Sequence, residues 1–347
     1  MLDDLKMIHE RDAQDALGIA EKQGQQYLHS FDFQWSPPRP IHDVVVAGMG
    51  GSGLAAKAYK VVGGLDVPFD VVQNYDLPSY VHENTLLICS SYSGNTEETL
   101  SVFEEALSRD SASQRPMIVV IASGGKLLER AQAENLSYIQ LPTGYQPRFT
   151  FGYQYRALAE VFAATPLKDG EIPLLEAAAQ QAENRLKAWV ATVPTKDNQA
   201  KQIALEVIGK SVVVYAGPQL WPAAYKWKIS FNENAKQVAW AGEYPEFNHN
   251  EFLGWTKQPP EKPYAVIDLR SNLENPRVQK RFEVTERLLS GMRPSPIVVN
   301  AQGGTQLEQL LSTIALGDFV TLYTALLNGL NPTPVDLIEN LKKSLNQ

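Results

Sequence analysis

A chain of 347 residues is long enough for two compact α/β units, or one unusually large one, and too long for a disulfide-stapled miniprotein. With 44% hydrophobic and 20% charged residues its composition is globular, which excludes wholesale disorder and fibrous repeats. Its 31 basic against 39 acidic residues leave a net charge of −8, which argues against a nucleic-acid partner gripped through its phosphates.

The first forty residues read as a polar amphipathic helix ended by the prolines of Ser36-Pro37-Pro38-Arg39-Pro40. Charge is scattered through the N-terminus, which offers no signal-like apolar stretch, and no later apolar run is expected to reach membrane-spanning length. From Val44 onward, apolar runs at Val44–Val46, Phe69–Val72, Thr85–Cys89, Met117–Ile121 and Tyr138–Leu141 alternate with helical patterns at Thr96–Leu107 and Lys126–Ala133. Strands apolar at consecutive positions are buried on both faces, so a parallel sheet covered by helices is predicted. The single cysteine, Cys89, falls in such a run and reads as a small core residue, which fits a reducing, cytoplasmic setting. A helix over Leu174–Val190 links this half to a second strand set, Ser211–Tyr215, Tyr264–Leu269 and Pro296–Asn300, which alternates with helices at Trp221–Phe231, Val278–Leu289 and Gln306–Leu327. The run Val44–Gly48 is echoed by Val212–Gly217 at an offset of 168 or 169, a faint sign of duplication. A proline-started amphipathic helix over Val335–Leu345 closes the chain.

Two loops each follow a strand and open a helix, where strand carboxyl ends and helix N-termini favour an anion. Gly48-Met49-Gly50-Gly51-Ser52-Gly53 lets backbone N–H groups approach a ligand, and Ser90–Thr96 gathers hydroxyls suited to a phosphate monoester. Gly48, Gly50 and Gly53 also satisfy the dinucleotide fingerprint G-x-G-x-x-G. Its acidic ribose contact would be Asp66 or Asp70, but Asp70 precedes its strand instead of ending it. No Walker lysine follows either loop. Farther on, Asn232–Lys236 and Glu246–Glu251 are dense in acid, amide and imidazole groups, and composition alone would make them a solvated face. No Cys/His cluster or H-x-x-x-H spacing points to a metal.

The motifs GMGGSG (Gly48–Gly53), SYSGNTEET (Ser91–Thr99), ASGGKL (Ala122–Leu127), Pro147-Arg148, NENAK (Asn232–Lys236), NHNE (Asn248–Glu251) and NPTPV (Asn331–Val335), in that order, resemble the bifunctional phosphoglucose/phosphomannose isomerases, which are sugar isomerase (SIS) fold proteins. The resemblance implies two SIS-type doubly wound parallel-sheet subdomains. The chain then divides into an N-terminal helical segment (1–40), a first SIS domain (41–165), a helical linker (166–198), a second SIS domain (199–330) and a C-terminal helix (331–347).

The same resemblance implies interconversion of glucose 6-phosphate, and often mannose 6-phosphate, with fructose 6-phosphate, using no cofactor and no metal. Moving a proton between neighbouring carbons needs one carboxylate as base and then acid, a role the resemblance places on Glu233. Stabilising the enediolate charge falls to Arg148. Ring opening falls to His249 and a lysine of the last helix, mapped to Lys342 with Lys343 adjacent. Ser91, Ser93 and Thr96 would hold the phosphate, while Gly50, Gly51 and Ser52 line the sugar. His249 would come from the partner subunit, so a homodimer is implied; neither nucleic acid nor membrane is an expected partner. The family's NENSK is NENAK here, with Ala235 in place of a serine. Two rival readings are a non-catalytic phosphosugar-binding SIS regulator and a Rossmann oxidoreductase using Gly48, Gly50 and Gly53.

Overall fold

A computed structural model describes residues 1–109, 115–257 and 263–345. By contact the chain forms two units: Gln23–Gln180, and Met1–Lys22 together with Gln181–Gln347. In chain order the elements are α1 (Leu5–Arg11), α2 (Ala16–Glu21), α3 (Gln23–Tyr27), β1 (Asp43–Ala47), α4 (Gly50–Val62), β2 (Phe69–Val72), β3 (Thr85–Ser91), α5 (Glu97–Ser108), β4 (Met117–Ala122), α6 (Gly125–Ala133), β5 (Ser137–Gln140), α7 (Phe151–Ala163) and α8 (Glu171–Leu186). There follow α9 (Gln199–Val207), β6 (Ser211–Ala216), α10 (Trp221–Glu233), β7 (Ala239–Glu243), α11 (Glu251–Gly254), β8 (Tyr264–Arg270), α12 (Pro276–Leu288), β9 (Ile297–Asn300), α13 (Gln306–Leu327) and α14 (Asp336–Leu345).

In the unit Gln23–Gln180 five parallel strands run in the order β2-β1-β3-β4-β5. Every residue of β3 and β4 is buried, as uninterrupted apolar runs require. Cys89 lies in that core, where burial pushes its thiol pKa upward. The other unit has four parallel strands in the order β7-β6-β8-β9. Its first three strands repeat the central pattern β2-β1-β3, so the echo between Val44–Gly48 and Val212–Gly217 falls on topologically equivalent strands, β1 and β6. β7 carries no apolar run: it reads Ala-Trp-Ala-Gly-Glu, and Trp240 is exposed at the sheet edge.

The N-terminal segment is three short helices, not one. The Asp12 carboxylate accepts from the Ala16 and Leu17 N–H groups, both at 2.8 Å, and Asp15 adopts φ +54 to cap Gly18. Aspartates that satisfy orphan donors this way break a helix more readily than they continue it. Residues up to Lys22 join the four-stranded unit, whereas Gln26 of α3 belongs to the five-stranded one and holds α7 through Phe149 O and Gly152 N. The division also passes through α8, inside the expected linker, and residues 346–347 of the expected C-terminal segment lie outside the described residues.

α13 corrects the expectation that no apolar run is long enough to cross a membrane. Its 22 residues have a mean hydropathy of 1.7 over the most apolar window, enough by length and composition, yet 94% of that window is buried in the protein. It is the central helix of its unit and packs on α2, α9 and α10. Thr305 caps it, its hydroxyl accepting from Glu308 N, and the Glu308 carboxylate reaches back to accept from Gly304 N.

Candidate active site

In the five-stranded unit both motif loops leave the carboxyl ends of neighbouring strands, β1 and β3. Gly50 turns the chain into α4 with φ +50, and space beside its Cα is open. A Cβ on Gly51 would sit 2.9 Å from Pro147 O, so its missing side chain lets the Pro147–Phe149 turn close onto this loop. That turn carries Arg148, which is buried with its guanidinium 4.5 Å from the centre of the Phe149 ring. Ser52 is also buried, and its hydroxyl accepts from Tyr92 N at 3.2 Å, bolting the first loop to the second.

The second loop shapes its own hydroxyls. Ser91 Oγ lies 2.8 Å from Thr96 Oγ1 and accepts from Gly94 N at 3.1 Å, while Ser93 Oγ accepts from Asn95 N at 3.3 Å. Gly94, at φ +67, approaches Gly124 so closely that a Cβ would collide with its carbonyl. Thr96 caps α5. The structure thus brings Gly50, Gly51, Ser52, Ser91, Ser93, Thr96 and the backbone of Arg148 to the carboxyl end of one sheet. A dinucleotide reading fits poorly. Asp70 lies inside β2, not before it, and its carboxylate is taken by Lys60 at 3.1 Å and the Tyr80 hydroxyl at 2.7 Å.

The four-stranded unit holds Glu233, His249 and Lys342. Glu233 is the last residue of α10, half-buried, inside a motif whose other members fix it. Asn232 Oδ1 accepts from Ala239 N at 3.0 Å, tying the helix end to the first residue of β7. Asn234 donates to the Thr321 hydroxyl of α13 at 3.0 Å, and Ala235 is fully buried, where a serine would need a further partner. Lys236 caps the helix through Glu233 O at 2.8 Å and reaches Pro332 O of the NPTPV motif at 3.2 Å.

His249 lies beyond the other end of β7, exposed, at the close of the 3₁₀ turn Glu246–His249. Five residues of strand rise about 16 Å. Glu233 and His249 of one chain therefore lie beyond opposite ends of the same strand, β7. Lys342 and Lys343 lie on α14, all of whose residues are exposed.

Equivalent crevices need not both be open. The loop after β8, Ser271–Asn275, has the same five-residue length as Tyr92–Thr96 after β3. Here the buried Glu274 carboxylate itself accepts from Gln219 N at 3.0 Å and Asn275 N at 2.9 Å, and Ser271 Oγ donates to Gln309 Oε1 at 2.6 Å. An internal carboxylate occupies the place an external anion would need. Among the described residues no group of three or more His, Cys, Asp or Glu side chains could hold a metal ion.

Residues 196–345 match the family model of the bacterial phospho-glucose isomerase C-terminal SIS domain. Over 309 residues the chain is 33% identical to the bifunctional phosphoglucose/phosphomannose isomerase of Aquifex aeolicus, covering 88% of this chain and 91% of that one. The chain belongs to the bifunctional phosphoglucose/phosphomannose isomerase family. A D-glucosamine-6-phosphate 4-epimerase of Sulfolobus acidocaldarius is 33% identical over 211 residues, 61% of this chain and 63% of that one. A glucose-6-phosphate isomerase like protein from Thermus thermophilus shares the fold, with a TM-score of 0.66 at 17% identity over 99% of this chain and 98% of that one. For a member of this family, sequence reading passed over the residues that hold the His249 turn. Asn248 donates to the Thr285 hydroxyl at 2.9 Å and accepts from Arg281 at 3.1 Å, and Glu251 accepts from the Tyr215 hydroxyl at 2.6 Å. Two of these, Asn248 and Glu251, stood inside the NHNE motif; their partners are far away in sequence and carried no signal.

Proposed function

We propose that the protein is an aldose–ketose isomerase that interconverts glucose 6-phosphate and mannose 6-phosphate with fructose 6-phosphate through an enediolate. What carries the reading is that a chain of this family has both a hydroxyl-lined loop suited to a phosphate and a half-buried carboxylate, Glu233, held rigidly at a helix end. Glu233 takes the proton from the carbon beside the carbonyl and returns it to its neighbour. Arg148 stabilises the enediolate oxygens more than the neutral sugar. Ser91, Ser93 and Thr96 bind the phosphate beside the N-terminus of α5, and Gly50, Gly51 and Ser52 line the sugar. The two aldoses differ only at C2, so rotation about C2–C3 of the open chain presents either hydrogen to one base.

A cyclic substrate must first open, with a proton delivered to the ring oxygen as another leaves the anomeric hydroxyl. His249 and Lys342 are the proposed pair. A proton-transfer group must lie within about 3 Å of its target, and a strand's length separates His249 from Glu233 in one chain. This supports a homodimer in which His249 of one copy serves Glu233 of the other. On α14 the exposed apolar residues Leu337, Ile338, Leu341 and Leu345 form one stripe. Lys342 lies about a quarter turn from its centre, and Lys343 nearly opposite. Lys342→Met is accordingly expected to lower kcat on fructose 6-phosphate by about 10²-fold or more, and Lys343→Met to leave it near the parent value. The proposed setting is the cytoplasm, in keeping with one buried, unbridged thiol.

The reading is tested by a coupled assay on chelator-treated protein. Fructose 6-phosphate should yield both aldose phosphates, and absence of either would remove the dual activity. Ser91→Ala deletes one hydrogen bond to a charged ligand, which at about 1.5–3 kcal/mol should raise KM tenfold or more with kcat little changed. An unaltered KM would take Ser91 out of the phosphate site.

A further inference from the structure

We propose that Tyr215 and Glu251 are positioning residues for His249, acting on ring opening and not on the isomerisation step; the inference rests on the ring-opening role given to His249 above. His249 is exposed, and its imidazole makes no hydrogen bond among the described residues, so only the backbone of its turn fixes where the ring stands. That backbone is pinned on both sides. Upstream, Phe247 is buried with its ring centre 4.4 Å from that of Tyr215, and Asn248 is held by Thr285 and Arg281 of α12. Downstream, the Tyr215 hydroxyl donates to Glu251 Oε1 at 2.6 Å while accepting from Trp255 Nε1 at 2.9 Å.

The anchor is rigid because its root is in the core. Tyr215 is a fully buried residue of β6, and the buried Arg293 guanidinium lies 5.6 Å from its ring centre and 6.0 Å from those of Phe247 and Trp255. Gly242 of β7 leaves room for it: a Cβ there would come 2.5 Å from the Tyr215 ring and 3.2 Å from Glu251 Oε2. Burial, with the Glu251 carboxylate alongside, holds the Tyr215 phenol above its ordinary pKa range, so it remains a donor. A sheet residue thus reaches through one hydrogen bond to the turn that presents the imidazole. Misplacing such a group by about 1 Å can lower a rate by roughly 10²-fold.

The test compares fructose 6-phosphate with 5-deoxy-fructose 6-phosphate, which lacks the hydroxyl that closes the furanose ring and needs no opening. Tyr215→Phe and Glu251→Ala should lower kcat on fructose 6-phosphate by roughly 10- to 100-fold with KM little changed. Both should turn over the deoxy sugar within about twofold of the parent rate. Glu251→Gln keeps an acceptor for the phenol and should retain most of the activity. Equal losses on both sugars, or none on either, would overturn the proposal. His249→Ala separates the two levels. If it still opens and converts fructose 6-phosphate at the parent rate, the underlying role of His249 falls. If it fails while Tyr215→Phe and Glu251→Ala are unimpaired, only the positioning falls.

Discussion

Glu233→Gln is expected to lower kcat for fructose 6-phosphate by about 10²- to 10⁴-fold while KM stays near its parent value. The amide keeps the shape and the hydrogen-bonding capacity of the side chain but cannot accept a carbon-bound proton. Binding should therefore persist while exchange of the C1 hydrogen with solvent stops. The half-buried position at the end of α10 and the near-identical shape of Gln make the substitution mild for folding, with Asn232, Asn234 and Lys236 also holding the helix end. A variant with undiminished turnover would remove Glu233 as the base.

The same variant decides how many chains build one site. If His249 acts across a two-fold axis, Glu233→Gln and His249→Ala are each inactive alone, yet a mixed dimer regains one intact site. Random reassembly of equal amounts should recover roughly a quarter of the parent rate. Were both residues used from one chain, every site in the mixture would be defective and no activity would return. The separation of Glu233 and His249 by the length of β7 is what makes recovery the expected result.

What could be read from the sequence follows from how local each signal is. β1, β3 and β4 stood out because both faces of each are buried, leaving uninterrupted apolar runs. β7 did not, because an edge strand with an exposed tryptophan and a glycine packed on Tyr215 has neither alternation nor β-branched residues. The hydroxyls of the second loop were legible, since a strand–loop–helix motif is contiguous. The filling of the corresponding crevice by Glu274 was not: its partner Gln219 lies 55 residues away, and only folding reveals that this N–H is satisfied. Glu233 and His249 came through resemblance to a family, and that they stand beyond opposite ends of β7 emerged only with the strand between them. The N-terminal forty residues misled because Asp12 and Asp15 cap short helices where a continuous polar helix fitted the pattern equally well.

A large stability effect is expected two turns below Glu233. Lys226 of α10 and Asp318 of α13 form a buried ion pair, with Lys226 also donating to Ser230 Oγ at 2.8 Å and Ser230 donating to Asp318 at 2.9 Å. Alongside it, Trp227 donates to Thr313 O at 2.8 Å, and Gly317 supplies the flat surface the indole needs. Removing one buried charge leaves the other desolvated, so Asp318→Leu or Lys226→Met should each cost about 3–5 kcal/mol in urea unfolding. The double variant replaces both charges by apolar groups and should be more stable than either single one. Equal losses in the three variants would mean that packing, not charge, dominates here. A double variant that regains stability but not kcat would show that the pair also sets the register of α10 against α13. That register decides where Asn234 meets Thr321 and so where the Glu233 carboxylate stands.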